Sequence, residues 1–246
     1  MRSTVMRMVA CTTLCLASTW AQASAEVGVL TPAFSGRVQA AVNPQPLGIL
    51  TLGLSSLLKQ HDERSARLTE MAKTAGYDVA EHLTQALVDQ LTREHHLATL
   101  IRVTRKARPQ GVGPLARDEV PENPDTSLLL DVTLQYAGVY AIGSAAPYET
   151  AVFIQYRWLS AAGELMQSSR TIQYNKRLVL PGTPHNRMGQ YPQPLEPSVN
   201  VTVMSTATGC SFRTFDDLQQ QSQKVWSCMD QAFADIAAEI ARDVPA

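Results

Sequence analysis

The sequence has no surplus of charge of either sign, few cysteines and no long apolar run after its first residues. The formal net charge of the 246-residue chain is −1. Nucleic-acid-binding proteins usually carry a clear excess of basic residues, so we predict no nucleic-acid partner. No stretch after residue 25 has about 18 or more consecutive apolar residues, and we therefore predict no transmembrane helix in the mature chain.

Motifs of catalysis and of metal or cofactor binding are also missing from the sequence. The serines at 55–56 lack the second glycine of a nucleophile elbow. The glycines at 111 and 113 are followed at once by Pro114 and cannot open a phosphate-binding helix. Histidine and acidic residues cluster at 61–63 and 94–96, but without metalloprotease spacing. We therefore predict that the protein is not an enzyme and holds no cofactor or metal.

The first 25 residues have the pattern of a secretory signal peptide. An n-region with two arginines precedes a short apolar h-region at 8–19, and two overlapping small-x-small cleavage sites follow at 21–25. We therefore predict a periplasmic protein, with a peripheral position at the outer membrane as one option. Cys11 follows a faintly lipobox-like run, and lipid attachment there is the less favoured alternative.

Two cysteines, Cys210 and Cys228, remain after the signal peptide. An even cysteine count in an oxidising compartment predicts a disulfide between them. In the chain-entropy model, closing a loop of this size contributes about 3 kcal/mol to stability. Two free thiols, or half of a metal site, are the alternatives, although no histidine lies near either cysteine in the sequence.

Apolar residues at helical spacing predict three helices. The first begins within the apolar run at 47–58 and ends at Gly76. The second covers Val79–His95 and is capped by Asp78. The third is C-terminal and follows a capping signal at Thr214.

Alternating apolar and polar residues predict the strands, with long proline-rich loops at 107–126 and 181–200. The strands are expected at 26–31, 100–103, 128–136, 151–158, 165–174 and 201–204. Two consecutive strands joined by a short glycine-containing loop must be antiparallel. The predicted fold is therefore a single α+β domain at 26–246, with a mostly antiparallel sheet of four to five strands and helices packed on one face.

Two segments have a structural and a functional interpretation. The apolar run at 47–58 is best interpreted as buried core, and the alternative is a surface that contacts a membrane or a partner. Arg102, Arg105, Lys106 and Arg108 form the one dense basic run. We expect a solvated strand end there, and the alternative is a salt-sensitive contact with an anionic partner or lipid head groups.

The segment from Val79 to Tyr174 resembles small α/β domains of Gram-negative envelope proteins. An amphipathic helix turns into a strand, the sequence SLLLDVTLQY follows, and a hairpin turn lies at Gly163-Glu164. The similar domains are the N-terminal domain of the Tol-Pal translocation protein, the curli secretion-channel lipoprotein and the lipopolysaccharide-transport lipoprotein. This resemblance implies a non-enzymatic role in the envelope. It identifies no binding residue in this sequence.

These observations lead us to expect an accessory or structural protein that assists assembly or transport in the cell envelope. Its partner would be an envelope protein or the membrane surface. The first alternative is a periplasmic binding module for a lipid or another apolar ligand, which calls for a preformed apolar cavity of about 300 Å³ or more. A hydrolase is the third hypothesis. If 128–136 or 165–174 lies at an open sheet edge, a partner strand could add there.

Overall fold

The computed structural model describes residues 26–42, 54–94, 96–106, 113–121, 125–143, 145–178 and 200–245, with only the backbone at 54–58. The predicted signal peptide at 1–25 lies outside the described residues, as do 47–53 of the apolar run and all of the predicted loop at 181–200 except Asn200. The other predicted loop, 107–126, is described at 113–121 and 125–126 and contains a single helical turn at Arg117–Glu119.

Across the described residues, nine strands form one sheet. In chain order they are β1 (Glu26–Leu30), β2 (Ala33–Phe34), β3 (Gln39–Val42), β4 (Leu97–Ile101), β5 (Leu128–Ala141), β6 (Tyr148–Ser160), β7 (Arg170–Tyr174), β8 (Asn200–Met204) and β9 (Ser211–Phe212). The spatial order is β4-β1-β5-β6-β7-β8, with β2 and β3 pairing to β5 and β9 pairing to β6. The sheet therefore ends in β4 on one side and in β8 on the other.

The sheet is mixed, so the prediction of a mostly antiparallel sheet of four to five strands was wrong. Strand β1 runs parallel to both β4 and β5, and β2, β3 and β8 also make parallel pairs. Parallel neighbours need a crossover connection, which the two helices between β3 and β4 supply. The antiparallel pairing of β6 with β7, which places Ile154 opposite Ile172, agrees with the expected hairpin.

Four helices are present in the described part of the chain. They are α1 (Leu54–Thr74), α2 (Val79–Arg93), α3 (Phe215–Gln220) and α4 (Ser222–Ala241). Gly76, at φ +65°, lies just beyond the end of α1, as expected for a glycine that ends a helix. The predicted C-terminal helix is divided into α3 and α4 at Gln221, whose φ of −109° and ψ of 39° are not helical.

The predicted helix caps are confirmed. The side chain of Asp78 accepts hydrogen bonds from the backbone N–H groups of Ala80 and Glu81, at 2.9 and 3.0 Å. Thr214 and Asp217 form a reciprocal capping box at the start of α3. The helix α2 ends at Arg93, and the strand that follows begins at Leu97 rather than at Leu100.

The helices pack against one face of the sheet. Alternate residues of β5, such as Leu130 and Val132, join Leu87 of α2 and Phe233 of α4 in a continuous apolar core. A register shift between Leu134 and Tyr136 interrupts the alternation. The opposite face of β5 carries the polar residues of the alternation, yet Asp131 and Thr133 are buried there as well.

Candidate binding sites

A groove of about 460 Å³ opens where the turn between α1 and α2 meets the segment that links β1 to β3. Its wall on the sheet side contains Pro32, Phe34 and Val38, and its helix side runs from Thr69 through the turn to Ala80. The lining is largely apolar, and Lys73 and Asp78 are its charged members. The groove therefore has the volume of a small-molecule site.

The side chain of Tyr77 lines this groove and is the centre of an aromatic stack. Its ring lies 4.0 Å from that of His82 and 4.8 Å from that of Trp226, measured between centroids. The Tyr77 hydroxyl donates to Oδ1 of Asp230 at 2.7 Å, and Nδ1 of His82 lies 2.8 Å from the same oxygen. Burial, together with the neighbouring Asp230 carboxylate, raises the pKa of Tyr77 well above its usual value.

The contacts of this cluster hold the α1–α2 turn against α4. Asp230 lies on α4, 153 residues after Tyr77, so no spacing pattern in the sequence could have indicated the contact. The His82 imidazole and the Tyr77 hydroxyl both contact the same oxygen of Asp230, so this carboxylate anchors the turn and the start of α2 to α4.

The two outer strands of the sheet carry exposed apolar side chains. On β4, Leu97 is 57% exposed and Leu100 is 46% exposed. On β8, Val201 is 50% exposed and Val203 is 55% exposed. The strand predicted at 165–174 is formed only at Arg170–Tyr174, and both it and the strand predicted at 128–136 have neighbours on both sides, so neither is the open edge to which a partner strand could add. Edge addition therefore concerns β4 and β8.

The residues of the basic run do not form one surface. Arg105 turns inward and binds Oδ1 of the buried Asp131 at 2.8 Å. Lys106 forms an exposed ion pair with Asp118, and Arg102 is exposed. Arg108 lies outside the described residues. Contact of this run with an anionic partner stays a prediction, and Arg105 would be the member least able to take part.

Asp131 is the centre of a buried ion cluster on the face of the sheet away from the helices. Its side chain is fully buried, and Arg105 and Arg157 are only 14% and 15% exposed. Arg157 Nε donates to Asp131 Oδ2 at 3.0 Å, and the backbone N–H of Leu115 donates to the same oxygen at 3.0 Å. The cluster fastens the segment that contains Leu115 to the sheet.

The predicted disulfide between Cys210 and Cys228 is confirmed. Its sulfur atoms are 2.11 Å apart and its Cα atoms 5.5 Å apart. Cys210 directly precedes β9, and Cys228 lies in α4, so the bond ties the short strand β9, which pairs with β6, to the C-terminal helix.

Among the described residues, no three His, Cys, Asp or Glu side chains converge as a metal site would require. His61 lies 3.7 Å from Asp62, and burial lowers the pKa of its imidazole. His95 lies outside the described part of the chain. None of the helices that the structure describes combines the length and apolarity needed to cross a bilayer.

No family model matches the chain, and no curated protein matches it. Among solved structures it is similar to a Xanthomonas campestris protein of family DUF330, at 12% identity, with coverage of 91% of this chain and 85% of that one and a TM-score of 0.41. It is also similar to a Helicobacter pylori homolog of the neuraminyllactose-binding hemagglutinin, at 10% identity, with coverage of 91% and 84% and a TM-score of 0.36. At these TM-scores the two likenesses assign neither a fold family nor a function. The resemblance to Tol-Pal, curli and lipopolysaccharide-transport proteins stays a prediction.

Proposed function

We propose that the protein is an exported, non-enzymatic accessory protein of the cell envelope, which assists assembly or transport by holding a protein partner at an edge of its sheet. The observation that carries this proposal is the exposed apolar character of the outer strand β4. Natural sheets usually protect their edges with charges, prolines or covering segments. An apolar edge strand is suited to accept an extended segment of a partner.

Two observations support export. The pattern at 1–25 is that of a signal peptide. The disulfide between Cys210 and Cys228 is a bond that persists in an oxidising compartment and is rare in the cytosol. Both fit a protein that works in the periplasm.

The backbone of β4 is oriented for strand addition. Ile101 O accepts a hydrogen bond from Thr31 N at 3.0 Å, so the main-chain groups of Ile101 point toward β1. Because main-chain directions alternate along a strand, those of Ala98 and Leu100 point away from the sheet. A partner strand could bond to these groups while its side chains contact Leu97 and Leu100.

Site-specific photo-crosslinking in growing cells tests this proposal. A benzophenone amino acid replaces Leu97 on β4 or, as the control, Glu81, an exposed residue on α2. We expect a discrete adduct with an envelope protein from position 97 and none from position 81. Equal adduct patterns at the two positions, or adducts only with cytosolic proteins, would contradict the proposal.

A second candidate function is the binding of a lipid or another apolar molecule, and the groove beside Tyr77 favours it. Its volume of about 460 Å³ lies within the usual range for ligand pockets, about 300–1,000 Å³. Here the partner would be a small molecule, and the sheet edges would play no part.

Native mass spectrometry of protein purified without detergent tests the second candidate. We expect a bound apolar molecule that is lost in Ala80→Trp, because the indole would occupy the groove, and kept in Glu81→Trp on the exposed neighbouring position. A chain without adduct, and without saturable binding of a fluorescent fatty acid, would exclude this function.

A further inference from the structure

The outer strand β8 differs from ordinary edge strands in its chemistry. Its sequence, NVTVM, contains no ionisable residue and no proline. Val201 and Val203 are both about half exposed and, being two residues apart, lie on the same face of the sheet. Met204 contacts the core beneath the helices, so the two valines lie on the opposite face. The edge thus presents a short apolar stripe without a charge to repel a neighbour.

The backbone of β8 fixes which of its groups are free to pair. Met204 O accepts a hydrogen bond from Asn175 N, directly after β7, at 3.1 Å. In the parallel register that places Met204 beside Tyr174, this bond directs the main-chain groups of Met204 and Thr202 toward β7. The N–H and C=O groups of Val201 and Val203 therefore point outward. No strand pairs with this outer edge within the part of the chain that the structure describes.

We infer that this edge binds a second copy of the chain, by antiparallel pairing of β8 with β8 about a two-fold axis at Thr202. Val201 then lies opposite the partner's Val203, and Val203 opposite the partner's Val201. These two positions carry the outward main-chain groups, so four hydrogen bonds form between them. The exposed valines become two cross-strand apolar pairs on one face. Thr202 lies opposite its own copy, and the contact is self-complementary, as a two-fold interface requires.

The strand β4 at the other end of the sheet lacks this self-complementarity. Its exposed side chains, Leu97 and Leu100, are three residues apart and so lie on opposite faces of the sheet. Pairing of β4 with its own copy would leave no continuous apolar stripe on either face, and the exposed Arg102 follows directly. The two edges are thus suited to different partners, and the inference about β8 holds whether or not β4 binds an envelope protein.

A pairing of five-residue strands buries less than the roughly 1,200 Å² that stable interfaces usually reach. The dimer is therefore weak and reversible, and its register is best tested by trapping it covalently. Across the two-fold axis, Thr202 and its copy form a non-hydrogen-bonded pair with Cα atoms about 4.5 Å apart, within the range of a disulfide. Val201 and its own copy would be diagonal neighbours about 7–8 Å apart, beyond that range.

The experiment compares Thr202→Cys with Val201→Cys in the full exported protein, with the Cys210–Cys228 bond intact, under mild oxidation. We expect Thr202→Cys to form a disulfide-linked dimer at least about tenfold faster than Val201→Cys. Random collision predicts the reverse, because Val201 is the more exposed side chain. Equal rates, or faster linkage at Val201, would overturn the inference. Peptide mapping without reductant verifies which cysteines are joined.

Sedimentation of the unmodified protein over a range of concentrations provides an independent measurement. We expect a reversible monomer–dimer equilibrium that is lost in the double variant Val201→Lys/Val203→Lys, because lysines would lie opposite lysines. Both side chains are exposed, so the variant should keep its circular dichroism spectrum. A protein that is monomeric at every concentration, or a dimer that survives the double substitution, would overturn the inference.

Discussion

On one face of the sheet, β5 presents Leu130 and Val132 to the helices; on the other face the same strand presents Asp131 and Thr133, which are buried just as completely. The first face is stabilised by a continuous apolar core, which tolerates small changes of shape. The second face combines two smaller apolar clusters, which include Leu129 and Tyr136, with the buried ion cluster of Asp131, where each charge depends on its partners. The ion cluster and the apolar core should therefore respond very differently to substitutions of similar size.

The helix-covered face has polar contacts too, but they lie along the margin of α4. Three tyrosine hydroxyls donate to carboxylates there. Tyr77 donates to Asp230 and Tyr174 to Asp235, both within α4, and Tyr156 donates to Asp243, just after the end of α4. The tyrosines come from the α1–α2 turn and from two strands, so these contacts fix the orientation of α4 over the apolar core.

The other face joins two guanidinium groups to one carboxylate. Arg105 also donates to Thr31 O at 2.8 Å and to Gly113 O at 3.1 Å, and Arg157 donates to Leu115 O. Backbone carbonyls thus accept from terminal nitrogens of both guanidinium groups, while Arg105 Nε is buried without a hydrogen-bond partner. The removal of the one carboxylate would leave two buried cations without their counter-ion.

The largest expected effect is that of Asp131→Asn. Loss of the charge from a buried ion cluster costs about 3–5 kcal/mol of unfolding free energy. On the apolar face, Ile154→Val removes one methylene from a fully buried side chain and should cost about 1 kcal/mol. Urea unfolding of the two variants measures the difference. Asp62→Ala, which breaks an exposed pair with Arg37, is the charge control and should cost below about 1 kcal/mol.

A similar cost for Asp131→Asn and Asp62→Ala would contradict the difference between the faces, because the buried cluster would then behave like a surface ion pair.

The next effect concerns the disulfide, which joins the residue before β9 to α4. Replacement of both Cys210 and Cys228 by alanine should lower the free energy of unfolding by about 3 kcal/mol, because the unfolded chain regains the freedom of the closed loop. Thermal unfolding of this variant, beside the reduced and the oxidised parent protein, measures the loss. A double variant as stable as the oxidised parent would contradict the expectation.

A smaller effect than those of Asp131→Asn and of the disulfide is expected for Tyr174→Phe. The variant loses the hydrogen bond to Asp235 and leaves Ala207 N–H without its acceptor, at a cost of about 1.5 kcal/mol. Burial, helped by Asp235, raises the pKa of Tyr174 to about 12. The folded state then holds its proton more tightly than the unfolded state, so this contribution is complete below about pH 10 and is lost as the pH rises toward 12.

Denaturant unfolding of the parent protein and of Tyr174→Phe between pH 7 and pH 11 measures this dependence. We expect the two stabilities to converge as the pH rises. A difference in unfolding free energy that is constant, or that grows with pH, would contradict the expectation that the protonated Tyr174 hydroxyl supplies the stability.

The sequence predicted the parts of the fold that local signals determine. Asp78 and Thr214 cap helices as expected, since an N-cap contact spans only two or three residues. The pairing of Cys210 with Cys228 followed from the small number of cysteines. The strand β5 was recognised by its alternation, although it continues to Ala141, where it pairs with β3 and β6.

The parts that were missed depend on distant contacts. Strands β2 and β3 are two and four residues long, too short for an alternation pattern, and they exist because the long strand β5 pairs with them. Arg105 was grouped with its basic neighbours, while its partner Asp131 lies 26 residues away on the polar face of a strand. The groove beside Tyr77 likewise arises only when the α1–α2 turn meets the segment after β1.

Export of the protein is the premise of its proposed function, and mass spectrometry of the protein recovered from fractionated cells tests it most directly. We predict that the protein is found in the envelope or periplasmic fraction, with a mature N-terminus created by cleavage within or just after 21–25 and with Cys210 joined to Cys228. An uncleaved chain in the cytosolic fraction, with both thiols open to alkylation, would contradict it.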